Sequence, residues 1–246
     1  MIEEYPRNLE FIAQERYIGS YLEAGSKQIL ISSARTLMSD IKNRRGKRPA
    51  EWSFSIPQKH PLTFKESDSK GLRLQIGISC EIEGTGDDIK KHSILMRVWS
   101  YNKDICYRDG LDATEIKDKL ECAGWKRVML RFHIDRRDPN AGYPEPLYHL
   151  QVGGDSEDCE NCWIPKKINV PRFPYPPMDL ILLCEFVLVN FFPRESEDLR
   201  KKPEWKSLVR KSQEIFLRNY FESCQKHLNS GTETLLGNSV NLPKGV

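Results

Sequence analysis

The sequence lacks a long uninterrupted hydrophobic run. Its most apolar stretch, residues 178–192, is shorter than the about 18 residues that mark a membrane-spanning helix, and it contains Glu185. The first residues, MIEEYPRNLEF, have neither the basic nor the apolar region of a signal peptide. We therefore expect a cytoplasmic protein that makes no use of a membrane.

A strong excess of charge is also missing. The 246 residues include 38 basic and 35 acidic side chains, which leaves a formal net charge of +3. Nucleic-acid-binding proteins usually carry a strongly basic face, so the charge balance alone does not indicate one. The seven cysteines are odd in number and irregularly spaced, which indicates reduced thiols rather than a disulfide framework.

The common catalytic signatures are absent as well. The sequence has no glycine-rich phosphate loop followed by Lys-Ser/Thr, no G-x-S-x-G and no dinucleotide fingerprint. We predict no cofactor and favour a binding protein over an enzyme. Cys159 and Cys162 form the only C-x-x-C pair, and zinc is an alternative there if other ligands complete the site. Their acidic surroundings would raise thiol pKa values, which disfavours redox chemistry.

What is present indicates one α+β domain over residues 1–230. We predict a four- to five-stranded antiparallel meander packed on one face by N-terminal and C-terminal helices. The predicted elements are a helical region at 7–43, a sheet at 51–152, a proline-rich corner at 163–177, helices at 178–192 and 203–228, and a flexible tail at 231–246.

The clearest local pattern is alternation in the predicted strands. In LRLQIGISCEIEG, apolar side chains alternate with polar ones, and SILMRVWSY follows after a glycine-rich turn, which predicts an antiparallel hairpin. In KRVMLRFHID, we expect Val128, Leu130, Phe132 and Ile134 to face the core.

If these strands pair in one sheet, their other side chains form a polar sheet face. Its members are Arg73, Gln75, Arg97, Trp99, Tyr101, Arg131, His133, Asp135, His149 and Gln151. Forked arginine donors and stacking aromatics suit an anion, a nucleotide or RNA. The histidines and the aspartate would suit acid–base work on a phosphodiester. The alternative is an ordinary solvated face of an antiparallel sheet.

A basic cluster follows the N-terminal helical region. It contains Lys42, Arg44, Arg45, Lys47 and Arg48. Cations suit the negative end of a helix, so the cluster is explained by a solvated helix end or by contacts with phosphate.

Residues 147–193 carry a resemblance. The run YHLQVGG, then WIP, PYPPMD and CEFVLVNFFP resembles uncharacterised bacterial proteins that travel with mobile elements and phage-defence clusters. The resemblance implies a component of a multiprotein system and assigns no catalytic residue. The order of helix, meander, YPP segment and helices is also similar to ubiquitin-conjugating-like folds. Because the His-Pro-Asn element is missing and Cys184 lies in an apolar helix, that similarity implies a non-catalytic relative used for protein contacts.

Together these observations predict a non-catalytic component of a bacterial multiprotein system, with antiviral defence as its context. It would bind another protein of that system through the C-terminal helix or the polar sheet face. The alternative is a nucleic-acid- or nucleotide-binding subunit. In that case Arg73, Arg97, Trp99, Arg131, His133, His149 and Gln151 would form the site, with Arg44 and Arg45 adding phosphate contacts. A nuclease-type enzyme is the third hypothesis.

Overall fold

The computed structural model describes residues 3–43, 51–69, 72–86, 88–101, 126–136, 147–153 and 172–230. The helices in these residues are α1 (Tyr5–Ile12), a 3₁₀ turn (Ile18–Ser20), α2 (Ala24–Asn43), α3 (Leu180–Phe191), α4 (Glu197–Lys201), α5 (Pro203–Phe216) and α6 (Arg218–Ser230). No helix in this part of the chain is long and apolar enough to cross a membrane.

The strands form one antiparallel sheet. They are β1 (Glu51–Ile56), β2 (Leu62–Thr63), β3 (Ser67–Ser69), β4 (Leu72–Thr85), β5 (Asp88–Tyr101), β6 (Lys126–Arg136), β7 (Tyr148–Val152) and β8 (Arg172–Pro174). Their order is β1-β4-β5-β6-β7-β8, with β2 and β3 also paired to β4. The α+β class is confirmed. The described residues contain more strands than predicted because β2, β3 and β8, at two or three residues each, are too short for a periodic signal.

The predicted hairpin is confirmed by the pairing of β4 with β5. Ile76 lies opposite Val98 and Ile78 lies opposite Met96, and all four side chains are buried. Because side chains alternate along a strand, the residues between them point to the other face of the sheet. This hairpin forms the middle of the sheet and sets the direction of the polar sheet face.

The predicted pattern of β6 is wrong at its first residues. Leu130 pairs with Val98, but the next pair along the strands joins Val128 to Trp99, so Met129 is an extra residue in a β-bulge. The bulge moves Val128 from the core face to the face of Trp99. Leu130 remains 40% exposed instead of buried. A strict period of two cannot reveal such an insertion.

The hydrophobic core lies between the other sheet face and the helices. Tyr5 of α1 shows how they meet: its ring contacts Phe54 of β1 and Phe216 of α5. Helix α3 is buried on most sides, as its nearly uniform apolar sequence predicts. Asp179 is its N-cap residue, and its Oδ1 atom accepts a hydrogen bond from the Leu182 N–H at 2.8 Å.

Two predicted helical regions are interrupted in the structure. The N-terminal region breaks between α1 and α2, where an ideal Cβ on Gly19 would lie 2.2 Å from the Ala13 carbonyl oxygen. The C-terminal helix ends at Phe216 and resumes at Arg218, so its apolar stripe belongs to two helices. Within the predicted proline corner, residues 172–174 form β8. The rest of that corner before residue 172, the residues at 112–122 and the tail at 231–246 lie outside the described residues.

Candidate functional site

The strand register brings most of the polar sheet face together. The cross-strand pairs are Gln75 with Trp99, Arg97 with Arg131, His133 with Gln151, and Asp135 with His149. Residues directly opposite each other in antiparallel strands share a face, so these side chains point to the same side of the sheet. Arg73 joins them, since its guanidinium lies 4.4 Å from the centre of the Tyr101 ring. We call Arg97, Arg131, His133, Asp135 and His149 the central cluster.

The centre of this face is buried. In this it differs from an ordinary antiparallel sheet face, which is solvated. Arg131 is 2% exposed and His149 is 4% exposed, and Leu95 beside them is also buried. Around this buried centre, the side chains of His133 and Asp135 keep 24% and 26% of their surface. The centre of the face is therefore buried around Arg131, with partly exposed polar groups beside it. We call this region the recess.

Arg131 is held in place by the end of β7. The Gly153 N–H donates to the Arg131 carbonyl at 2.7 Å, and the Arg131 Nε donates to the Gly153 carbonyl at 3.4 Å. Gly153 has a φ of 81°, a conformation that glycine adopts without strain. The Nη2 atom of Arg131 is buried and has no hydrogen-bond partner among the described residues. The Nη2 group of this guanidinium can therefore donate a hydrogen bond to a further acceptor.

Burial lowers the pKa of His133 below its ordinary value, and the positive charges of Arg131 and Arg97 lower it further. The negative charge of Asp135 raises the pKa of His133 and so partly opposes these effects. The net effect favours the neutral form of His133. Its Nδ1 atom lies 3.9 Å from Asp135 Oδ2, which is too long for a hydrogen bond, and Asp135 Oδ1 is buried without a partner in the described part of the chain.

Trp99 lies beside the central cluster and covers Gly77. An ideal Cβ on Gly77 would lie 2.6 Å from the Cη2 and Cζ3 atoms of the Trp99 ring, so only glycine leaves room for the indole. Two further residues of the face hydrogen-bond to glutamates outside it. The Tyr101 hydroxyl bonds to the Glu66 carboxylate, and Gln75 Nε2 donates to Glu23 Oε1 at 3.4 Å. Among the described residues, Trp99 places an aromatic ring over Gly77, directly beside Arg97 of the central cluster.

Sequence reasoning missed two residues of this region. Arg172 lies opposite Gln151 and adds another guanidinium to the face, but β8 carries no strand signal of its own. Gly153 is the second residue, and a glycine directly after a strand is a sequence signal for a special backbone conformation. Arg44 and Arg45 lie outside the described residues.

No group of three or more histidine, cysteine or acidic side chains suited to a metal ion occurs in the residues that the structure describes. Cys159 and Cys162, the candidate zinc pair, are not among those residues. Cys184 is buried inside α3, where burial raises the pKa of its thiol well above the ordinary value. This burial disfavours a reactive thiolate at Cys184.

Comparison of the chain with protein-family models, with curated proteins and with solved structures finds no match. The two resemblances drawn from residues 147–193 and from the order of elements therefore stay predictions. Function has to be argued from the geometry of the recess.

Proposed function

We propose that this protein binds a phosphate-bearing ligand, a nucleotide or a nucleic acid, in the recess of the polar sheet face. The observation that carries the proposal is the Nη2 atom of Arg131, which is buried and without a hydrogen-bond partner among the described residues. Buried polar groups in proteins are nearly always paired, and an exception calls for a ligand, an ion or a water.

The missing partner has to be an acceptor. A guanidinium stays charged at any pH that proteins meet, and it has five N–H donors and no acceptor. Leaving a buried donor without a partner costs about 1–3 kcal/mol, and more where the group is charged. Neither a carboxylate nor a carbonyl of the described residues meets Nη2. An anion that enters the recess would offset that cost.

The surroundings favour phosphate among the possible anions. Arg97 lies directly opposite Arg131, so two guanidiniums face the same part of the recess. Like charges directly opposite each other destabilise a strand pair, and an anion near both guanidiniums would reduce that repulsion. The planar fork of arginine matches two oxygens of a phosphate group, and His133 is available as a further hydrogen-bond partner.

Inorganic phosphate is the simplest probe of this proposal. We expect titration calorimetry to detect phosphate binding to the wild-type protein, and Arg131→Lys to weaken it by about tenfold or more because the fork is lost while the charge stays. The unfolding temperature of the wild type should also rise with phosphate concentration, since a ligand that binds the folded state stabilises it.

Arg136→Lys is the matched control. Arg136 lies on the same strand, opposite Tyr148, and its Nη1 atom donates to the Lys90 carbonyl at 3.0 Å, away from the recess. This variant should bind phosphate like the wild type. Circular dichroism of both variants separates lost binding from lost folding. The proposal is wrong if the wild type, fully folded, neither binds phosphate nor is stabilised by it.

One observation favours a second function, the binding of a partner protein. On α6, the helix that sequence analysis named as an interface, Phe221 is 56% and Leu228 is 65% exposed. They are seven residues apart, so they lie on one side of the helix. We infer that a partner of the predicted bacterial multiprotein system would contact this side, leaving the recess free for its own ligand.

A further inference from the structure

We infer that the ligand of the recess is a free nucleotide, whose base stacks on Trp99 while its phosphate binds Arg131. This inference rests on the proposed function, because it assumes that the recess takes a phosphate group. It adds the chemical class of the ligand, a nucleotide, and the residue that would recognise its base, Trp99.

The distance between Trp99 and Arg131 suits a nucleotide. Trp99 lies two residues along β5 from Arg97, and Arg97 lies opposite Arg131. The Trp99 indole lies over Gly77 of β4, on the side of β5 away from Arg131. Two strand spacings of about 4.8 Å put the ring about 10 Å from the Arg131 backbone, and the long arginine side chain covers part of that distance. A base and its 5′-phosphate, joined through ribose, span a comparable length. One ligand can therefore reach both side chains.

The indole of Trp99 is held ready for stacking. Its six-membered ring occupies the space above Gly77, where a Cβ would lie 2.6 Å from two of its carbon atoms, and Pro61 borders the same space. The ring therefore has a defined position on the sheet surface, and Trp99 as a whole is partly exposed. An aromatic side chain that is already ordered loses little conformational entropy when a base stacks on it.

The depth of Arg131 favours a free nucleotide over a nucleic-acid strand. Arg131 is 2% exposed, so a phosphate has to enter the recess to reach Nη2. A terminal phosphate can do so, whereas an internal phosphodiester carries chain on both sides and would have to bury it. The formal net charge of +3 is also small for a protein that follows a nucleic-acid backbone.

Asp135 sets the direction of the ligand. It lies on the opposite side of Arg131 from Trp99, four residues further along β6. Its carboxylate repels the phosphate, while the neutral His133 lies between them. The phosphate is thus confined to the part of the recess near Arg131, and the base can extend only towards Trp99.

Four probes test the inference by calorimetry: inorganic phosphate, ribose 5-phosphate, AMP and a single-stranded oligonucleotide without a terminal phosphate. We expect AMP to bind the wild type about 5- to 150-fold more tightly than ribose 5-phosphate, which is the range measured when a base loses its stacking partner. Trp99→Leu, which keeps apolar bulk, should remove that preference and leave the ribose 5-phosphate affinity unchanged. Trp99→Phe should retain much of it.

Phe173→Ala is the matched control, since Phe173 is an exposed aromatic side chain on β8 with 53% of its surface accessible. It should not alter AMP binding. AMP should also quench tryptophan fluorescence in the wild type and less so in Trp99→Phe.

Each outcome decides a different claim. If phosphate and ribose 5-phosphate bind but AMP binds no better, the nucleotide inference is wrong and the proposed function stands. The same conclusion follows if Trp99→Leu weakens every probe equally, or if the oligonucleotide binds much more tightly than AMP. If none of the four probes binds the folded wild type, the proposed function itself is wrong.

Discussion

Asp179 is a carboxyl group with no exposed surface, placed where three helices meet. Its Oδ1 atom accepts from the Leu182 N–H and its Oδ2 atom accepts from Ser212 Oγ, each at 2.8 Å. The Leu180 N–H next to it donates to the Tyr5 hydroxyl at 3.2 Å. Burial raises the pKa of Asp179 to about 6, although its hydrogen bonds act in the opposite direction. A single residue thus links α1, α3 and α5 at an electrostatic cost.

The first prediction concerns the pH dependence of stability. Because the folded state raises the pKa of Asp179 from 3.8 to about 6, the protonated carboxyl stabilises the fold, and this contribution is lost as the pH rises through that window. The loss amounts to about 3 kcal/mol, at 1.36 kcal/mol per pKa unit. Urea unfolding measured across the window should show the free energy of unfolding of the wild type falling relative to that of Asp179→Asn.

Asp179→Asn is a suitable reference because asparagine is also a good N-cap and has no charge to lose. Ser212→Ala serves as the control for the second hydrogen bond, and it should destabilise the protein by about 1 kcal/mol and leave the pH trend in place. A constant difference between the wild type and Asp179→Asn over the whole window contradicts the assignment.

At the scale of elements, β4 and β5 are coupled through Gly77 and Trp99. Glycine inside a strand usually weakens it, but here the indole fills the space that a Cβ would take. The Trp99 ring therefore covers the backbone of Gly77, which would otherwise have no side chain over it. The same contact positions Trp99 beside the central cluster, so the packing of two strands shapes the candidate site.

The second prediction is that Gly77→Ala destabilises the fold. The added methyl group would lie 2.6 Å from the ring of Trp99, so the indole has to move, and overpacking of this kind costs about 1–3 kcal/mol. Denaturant unfolding measures the loss, and the tryptophan emission of the folded protein should change.

Gly25→Ala is its control, because nothing lies within 4 Å of a Cβ at that position near the start of α2. It should leave stability unchanged or raise it by up to about 1 kcal/mol through the better helix propensity of alanine. Equal stability of the two variants would argue against the contact between Gly77 and Trp99.

At the scale of the whole molecule, the core joins the two ends of the described chain. Tyr5 of α1 and Phe216 of α5 are in contact, and Lys202 before α5 donates to the Arg16 carbonyl at 2.9 Å. The core side chains of both ends belong to one hydrophobic cluster with the apolar face of the sheet. This packing agrees with a single domain, which stays a prediction.

The third prediction concerns α6, where the apolar side chains of Phe221 and Leu228 are mostly exposed to solvent. If a partner protein binds there, Phe221→Asp and Leu228→Asp should reduce the yield of a stoichiometric partner in purifications from the native host. Because both side chains are mostly exposed, the free energy of unfolding should change by less than about 0.5 kcal/mol. Gln225→Asp, an exposed neighbour on the same helix, is the control for added charge and should keep the partner.

Much of the polar sheet face was predictable because alternation is a local property. In β4 and β5 every second residue is apolar, and that pattern is enough to place Arg97 and Trp99 on one face. The bulge at Met129 and the break at Leu217 were not predictable, since each depends on contacts with neighbouring elements. The register between strands, which brings Arg131 opposite Arg97, is likewise a matter of packing rather than of sequence period.

The α+β class, the central hairpin and the chemical character of the polar sheet face could all be inferred from the spacing of apolar residues along single segments. The burial at the centre of that face could not, because it arises from the packing of distant segments. Solvation depends on what surrounds a side chain, and no local pattern records that Arg131 is 2% exposed with an unpartnered Nη2 atom. The same holds for Asp179, whose pKa reflects burial where α1, α3 and α5 meet.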